Sequence, residues 1–379
     1  MLTRSAQYAQ ALTGPHQVVA YVTSTDIDGN PLTLTPEGTP AVLPLPLTTG
    51  SVSAVIQSRV TRRLRLELPG DFYPRTAADP LSESTAVLSV RAGIRYGNGT
   101  EETFPLFKGR VQNVTRNEDT TCTAEADDLA ADVLGYPFEQ PWTVKNPGSV
   151  LTEIRAIISE AVPQATFDLT LAPPDQPVPS ELVFNEDRGQ ALDDLAAVLG
   201  ARWYCLGTGE FTVRAYAYEG VAPLLDISDG PRGLLTAATQ DRSRDGVANS
   251  VTVISERFDG SPPVRVTRRD TGSSSPTRFG GRFGRVARVV SVQTPLTQGQ
   301  ATDYADALLR AGVALVSQWS GTMVTDYALE PSDCVRLTCK GLTENQVLDT
   351  LTYPLVVDAP QSFVSRGVSS LPVPQMVED

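Results

Sequence analysis

Seven arginines crowd one stretch of this 379-residue chain: Arg265, Arg268, Arg269, Arg278, Arg282, Arg285 and Arg288, with Asp270 the sole acid among residues 262–288. A guanidinium group is always charged and presents a planar fork of donors, so such a cluster suits carboxylates, phosphates and aromatic faces. The stretch carries +6 within a chain of formal net charge −13, which leaves −19 on the remainder. Its centre, TGSSSPTRFGGRFGR, reads as a long flexible RG-rich loop. Three readings follow: a solvated hairpin whose arginines pair with nearby carboxylates, a loop that docks on a partner protein, or a nucleic-acid contact. The acidic balance of the whole speaks against a protein that coats duplex nucleic acid.

Other residues with chemical potential are sparse. His16 is the single histidine, and Cys122, Cys205, Cys334 and Cys339 form no CxxC pair. That removes the usual His/Cys zinc spacings, and the cysteines read as reduced, half-buried core residues. No GxSxG nucleophile turn, phosphate-binding GxxxxGK[ST] or strand-linked GxGxxG occurs, so hydrolase and nucleotide-binding readings fail and no catalytic residue, metal or cofactor is expected. DIDGN (26–30) places its glycine fourth rather than sixth and lacks the closing acid of a calcium loop; it reads as an Asp-Gly turn. Asp193 and Asp194 are neighbours on a predicted helix, point in different directions and cannot straddle one glycosidic bond.

The elements that must carry these residues are mostly strands. Period-2 alternation places Leu64, Leu66 and Leu68 opposite Arg63, Arg65 and Glu67, and Leu88, Val90, Ala92, Ile94 and Tyr96 opposite Ser89, Arg91 and Arg95. FTVRAY (211–216), VANSVTV (247–253), VARVVSV (286–292) and CVRLTC (334–339) continue the pattern, which favours antiparallel sheets with one wet face. Asp28-Gly29, Asn98-Gly99, Gly207-Thr208-Gly209 and Asp259-Gly260 mark turns. Helical spacing predicts helices over 127–134, 149–162, 188–199 and 298–315, the last opened by a Thr297/Gln300 capping box. Trp142, Trp203 and Trp319 sit beside apolar periodic residues and read as internal. The expected class is mainly β with inserted α/β: a β-domain over 1–140, a small α/β domain over 141–224 and a second β-domain over 225–379 that carries the 262–288 loop. No apolar run reaches the ~18 residues of a membrane helix, and the N-terminus lacks the apolar segment of a secretory signal, so no membrane insertion is expected.

Taken in order, several segments resemble the tail-hub or baseplate-hub proteins of long-tailed bacteriophages and the N-terminal regions of tail-associated lysins. They are TGSVSAVIQSRVTRRLRLELPGDFYP (49–74), running on to VRAGIRYGNGTEETFPLFKGRVQNV (90–114); RGQALDDLAAVLGARWYCLGTGEFTVR (188–214); TQDRSRDGVANSVTVIS (239–255); and QATDYADALLRA (300–311) followed by LEPSDCVRLTC (329–339). Ser332 stands where the family pattern has glycine. No peptidase or lysozyme segment is recognisable after residue 360, so the chain is similar to a hub alone. The resemblance implies two tail-tube-like β-domains per chain and a homotrimer whose six domains make a pseudo-sixfold ring. It implies a place in the virion at the distal end of the tail, made in the host cytoplasm. The implied partners are a distal tail or tail tube protein, a tape measure protein and tail tip or fibre proteins, with DNA only passing through the lumen. Residues 58–68 and 285–292 are then expected near the ring, with 262–288 reaching a partner protein. A carbohydrate-binding, adhesin-like β-protein is the rival of a different class, and a glycosidase using only Asp and Glu is the enzymatic one.

Overall fold

In the computed structural model, residues 2–32, 44–178, 182–215, 222–257, 262–314, 317–357 and 359–367 are described. The Asp259-Gly260 turn, and the ends of the proline-rich 172–180 loop and of the 201–218 hairpin, lie outside them.

The alternation read from the sequence is the alternation of burial. Along Arg62–Pro69, Leu64, Leu66 and Leu68 are buried while Arg63 and Arg65 face solvent. Leu88, Val90, Ala92 and Ile94 line the same core from Val87–Arg95. These strands belong to one twelve-stranded sheet. Its main path runs Gln17–Thr25, Val87–Arg95, Glu101–Arg116, Thr121–Asp128, Arg62–Pro69, Thr49–Val55, Leu342–Pro354, Gln361–Gly367, Gln318–Met323 and Leu235–Asp241. Neighbours along that path are antiparallel. Cys334–Cys339 branches from Leu342–Pro354 and pairs in parallel with Leu225–Ser228. The two β-rich regions meet where Ser51–Val55 pairs with Thr350–Pro354, so sequence-remote segments complete one sheet.

Among the described residues, two large hydrophobic cores divide the chain. One joins both halves of the large sheet, setting Leu64, Leu66 and Val90 with Leu337, Leu351, Tyr353 and Phe363. The other gathers Val133, Ile154, Leu192, Leu195 and Trp203 with Val251, Val253, Val264, Val266, Leu308 and Leu309. Residues 250–314 thus pack with the middle of the chain, whereas the sequence reading assigned them to a second β-domain over 225–379. The physical reason is the three-stranded sheet Val264–Arg269, Ser250–Ser255 and Ala287–Val292. Val251, Val253, Val264 and Val266 are covered by the helix Gln298–Ala314 through Ala301, Ala305, Leu308 and Leu309, and the resulting layer completes the helical core. Ala287–Val292 runs parallel to Ser250–Ser255, a pairing that alternation alone does not reveal.

The helices begin and end as their sequence signals require. Ser149 caps Val150–Ala161 by accepting from the Thr152 N–H, and Asp187 caps Arg188–Val198 by accepting from the Gln190 N–H. Gly200, at φ +59°, lets the chain leave the second helix. The Thr297/Gln300 box is reciprocal: the Thr297 N–H donates to Gln300 Oε1 at 2.9 Å and the Gln300 N–H to Thr297 Oγ1 at 3.3 Å. Helical spacing places Tyr304, Leu308 and Ala311 on one stripe of this helix; Leu308 is buried with Ala301, Ala305 and Leu309, while Tyr304 and Ala311 are half-buried.

Candidate assembly surface

The structure divides the seven arginines. Arg268 shares its strand face with Val264 and Val266 and is buried, its Nε and Nη2 donating to Asp306 Oδ1 at 2.5 Å and Oδ2 at 3.0 Å. This bidentate pair fastens the sheet to the covering helix, so Arg268 is a packing residue and not a docking one. Arg269 is half-buried and lies over the Phe279 ring, with Arg285 also against that ring. Arg265, Arg278, Arg282, Arg285 and Arg288 are exposed.

Their connecting segment, 270–286, is not the free loop that its composition suggests. Asp270 is buried, and its carboxylate accepts from the Gly272 N–H, the Ser275 hydroxyl and the Thr277 hydroxyl. Asn249 Nδ2 donates to the carbonyls of Thr277 (2.8 Å) and Gly284 (3.0 Å), while its Oδ1 accepts from the Val286 N–H (2.9 Å). Arg244 stacks on Phe283 and donates to its carbonyl oxygen. One buried aspartate and one buried asparagine therefore satisfy the turns from within, and the exposed guanidiniums stand on a fixed frame. Arg244 and Asn249 lie in the TQDRSRDGVANSVTVIS motif, so the sequence marked the residues that brace the segment without disclosing what they brace.

A second charged centre was missed. Arg62 is fully buried between the halves of the large sheet: Nη1 donates to the Leu106 carbonyl at 2.9 Å, Nη2 pairs with Glu330, and the Arg62 N–H donates to Asp128 Oδ2 at 2.7 Å. Burial pushes the Asp128 carboxyl up to about 7, against the backbone N–H groups of Arg62 and Ala130 that favour its charge. The available signal was parity, since residue 62 falls on the face of Leu64, Leu66 and Leu68.

The remaining candidates resolve into structural roles. Asp193 accepts from the Trp203 indole N–H and from Arg59 Nε, whereas Asp194 accepts from Gln190 Nε2 and the Gln293 N–H, so the two carboxylates diverge. Trp142, Trp203 and Trp319 are all buried, and each indole N–H is taken by a carboxylate, of Glu153, Asp193 and Glu344 respectively. Asp26 accepts from the N–H groups of Asp28 and Asn30 within its own turn. Cys122, Cys205 and Cys334 are buried thiols, Cys339 is partly exposed, and none is bridged.

No protein-family model matches the sequence, and no curated protein matches it either. Solved structures do match, over nearly the whole chain. The tail protein from Neisseria meningitidis MC58 superposes with a TM-score of 0.63 at 13% identity, covering 94% of this chain and 98% of its own. The 43 kDa tail protein of prophage MuSo2 from Shewanella oneidensis gives 0.59 at 12% identity, over 92% and 98% of the two chains. A prophage tail protein from Listeria monocytogenes EGD-e gives 0.55 at 12%, over 92% and 95%. At these identities the likeness is one of fold: the chain has the fold of phage tail proteins.

Proposed function

We propose that this chain is a structural tail-hub subunit, forming a trimeric, pseudo-sixfold ring that closes the distal end of a phage tail tube and anchors tape measure and tip or fibre proteins. The observation that carries the reading is end-to-end fold agreement with three phage tail proteins, each also matched over 95% or more of its own length. The joining of two β-rich regions in one sheet supports it, because each chain can then bring two strand-built units to a ring in fixed relation. Strands Arg62–Pro69 and Ala287–Val292 are the segments we assign near other subunits, and the exposed Arg265, Arg278, Arg282, Arg285 and Arg288 the ones that dock protein. An acidic body suits a passage that DNA slides through without adhering. The role is mechanical rather than catalytic.

The carbohydrate-binding rival is weakened because all three tryptophans are spent on internal packing and internal hydrogen bonds. Mass photometry of the purified chain, alone and with a cognate tail tube protein, tests the proposal. A species of three times 40.6 kDa is expected; a monomer at every concentration and with every tail partner would count against it.

A further inference from the structure

The three-stranded sheet has Ser250–Ser255 at its centre, so Val264–Arg269 and Ala287–Val292 each present an outer edge. Ala287–Val292 pairs with Ser250–Ser255 on one side, and no other described strand borders it. The bond from the Ser250 N–H to the Val286 carbonyl, 3.1 Å, fixes its phase. In a parallel pair, both backbone groups of a residue face the same neighbour. Those of Arg288, Val290 and Val292 therefore face Ser250–Ser255, and those of Ala287, Val289 and Ser291 face outward. Gln293, next in the outward series, agrees: its N–H donates to Asp194 Oδ2 at 3.2 Å. A carboxylate of the chain itself thus closes the far end of this edge. The side chains of Ala287, Val289 and Ser291 are uncovered, Val289 being 57% exposed.

Charge selects what can lie there. Arg288 is exposed on the strand itself, and Arg282 and Arg285 are exposed in the segment that leads into it, while Asp270, the one acid of residues 262–292, is buried with its oxygens engaged. Two copies of this edge would set arginines against arginines, which discourages self-pairing as edge cations commonly do. Phosphates would answer the charge but not the two-residue repeat of N–H and C=O groups. We propose that Ala287–Val292 takes up an extended acidic segment of a partner protein as an added strand, with the main chain supplying affinity and Arg282, Arg285 and Arg288 selecting for acids. That the partner is a tail component rests on the hub reading; the strand addition itself does not.

The test uses the full-length protein and a fluorescent peptide of alternating Glu and Val, followed by polarisation. Three comparisons accompany it: the same peptide N-methylated on every second amide, in both registers; a Lys-for-Glu peptide; and a single-stranded oligonucleotide. Saturable binding of the Glu peptide is expected, weakened about tenfold by N-methylation in one register and lost with lysine. The Arg288→Glu variant should weaken it comparably while retaining the wild-type circular dichroism spectrum. Absence of binding, indifference to N-methylation in both registers, or tighter binding of the oligonucleotide would overturn the proposal. If the trimer forms but the peptide does not bind, only this inference falls. If the trimer is absent, the hub reading falls whatever the peptide does.

Discussion

Replacing Arg268 separates packing from docking among the seven arginines. Arg268 and Asp306 are both buried and joined by two hydrogen bonds. Arg268→Ala leaves the Asp306 carboxylate buried opposite a cavity, and removing one partner of such a pair costs ~3–5 kcal/mol. That is on the order of a hundredfold or more in the folding equilibrium. Exposed Arg282, by contrast, should tolerate alanine within ~0.5 kcal/mol. The double variant Arg268→Met, Asp306→Leu replaces the pair by apolar groups of similar size and should recover most of the loss, since a buried pair is often no better than a packed apolar one. Urea unfolding followed by tryptophan fluorescence reads the difference, because Trp142 and Trp203 belong to the same core as the helix Gln298–Ala314. An Arg268→Ala variant that unfolds at the wild-type midpoint, or a double variant as unstable as the single one, would show that this pair does not hold the sheet to its helix.

Two further outcomes follow from backbone and protonation. Ser332 holds φ +78°, a left-handed conformation that disfavours a side chain, so Ser332→Gly should raise stability by ~0.5–1 kcal/mol despite losing the Arg202 contact to its hydroxyl; a lowered urea midpoint would contradict this. Burial raises Asp128 to about 7 and Asp194 and Asp333 to about 6, above the unfolded aspartate value of about 3.9. The folded state holds these protons more tightly, so their contribution is complete below about pH 4 and is lost as pH rises through about 6 to 7. The urea midpoint should therefore be higher at about pH 5.5 than at about pH 8, with a shallower slope in Asp128→Asn; a midpoint that rises with pH over that window would contradict the assignment.

What was legible in the sequence was local. Leu64, Leu66 and Leu68 announce a half-buried strand, and Thr297 with Gln300 announces a helix start, because burial parity and capping depend only on nearby residues. The partition of arginines was half legible. Arg62 shares parity with the leucines after it, and Arg268 with Val264 and Val266, yet a charged side chain reads as solvated until its buried partner is known. Those partners, Glu330 and Asp306, lie 268 and 38 residues away. The same distance hides the parallel pairing of Ser250–Ser255 with Ala287–Val292 and the packing of 250–314 on the middle of the chain. Composition misled at 270–286, where glycine and serine suggested flexibility. Asp270 and Asn249 instead satisfy the backbone of that segment from inside.

The proposed ring is built from two joined β-regions per chain, and electron microscopy of the purified protein addresses it directly. Closed particles of three subunits around a central opening are expected, with six similar lobes on which a tail tube end can seat. Compact particles of a single chain, or open chains without a central hole, would contradict it.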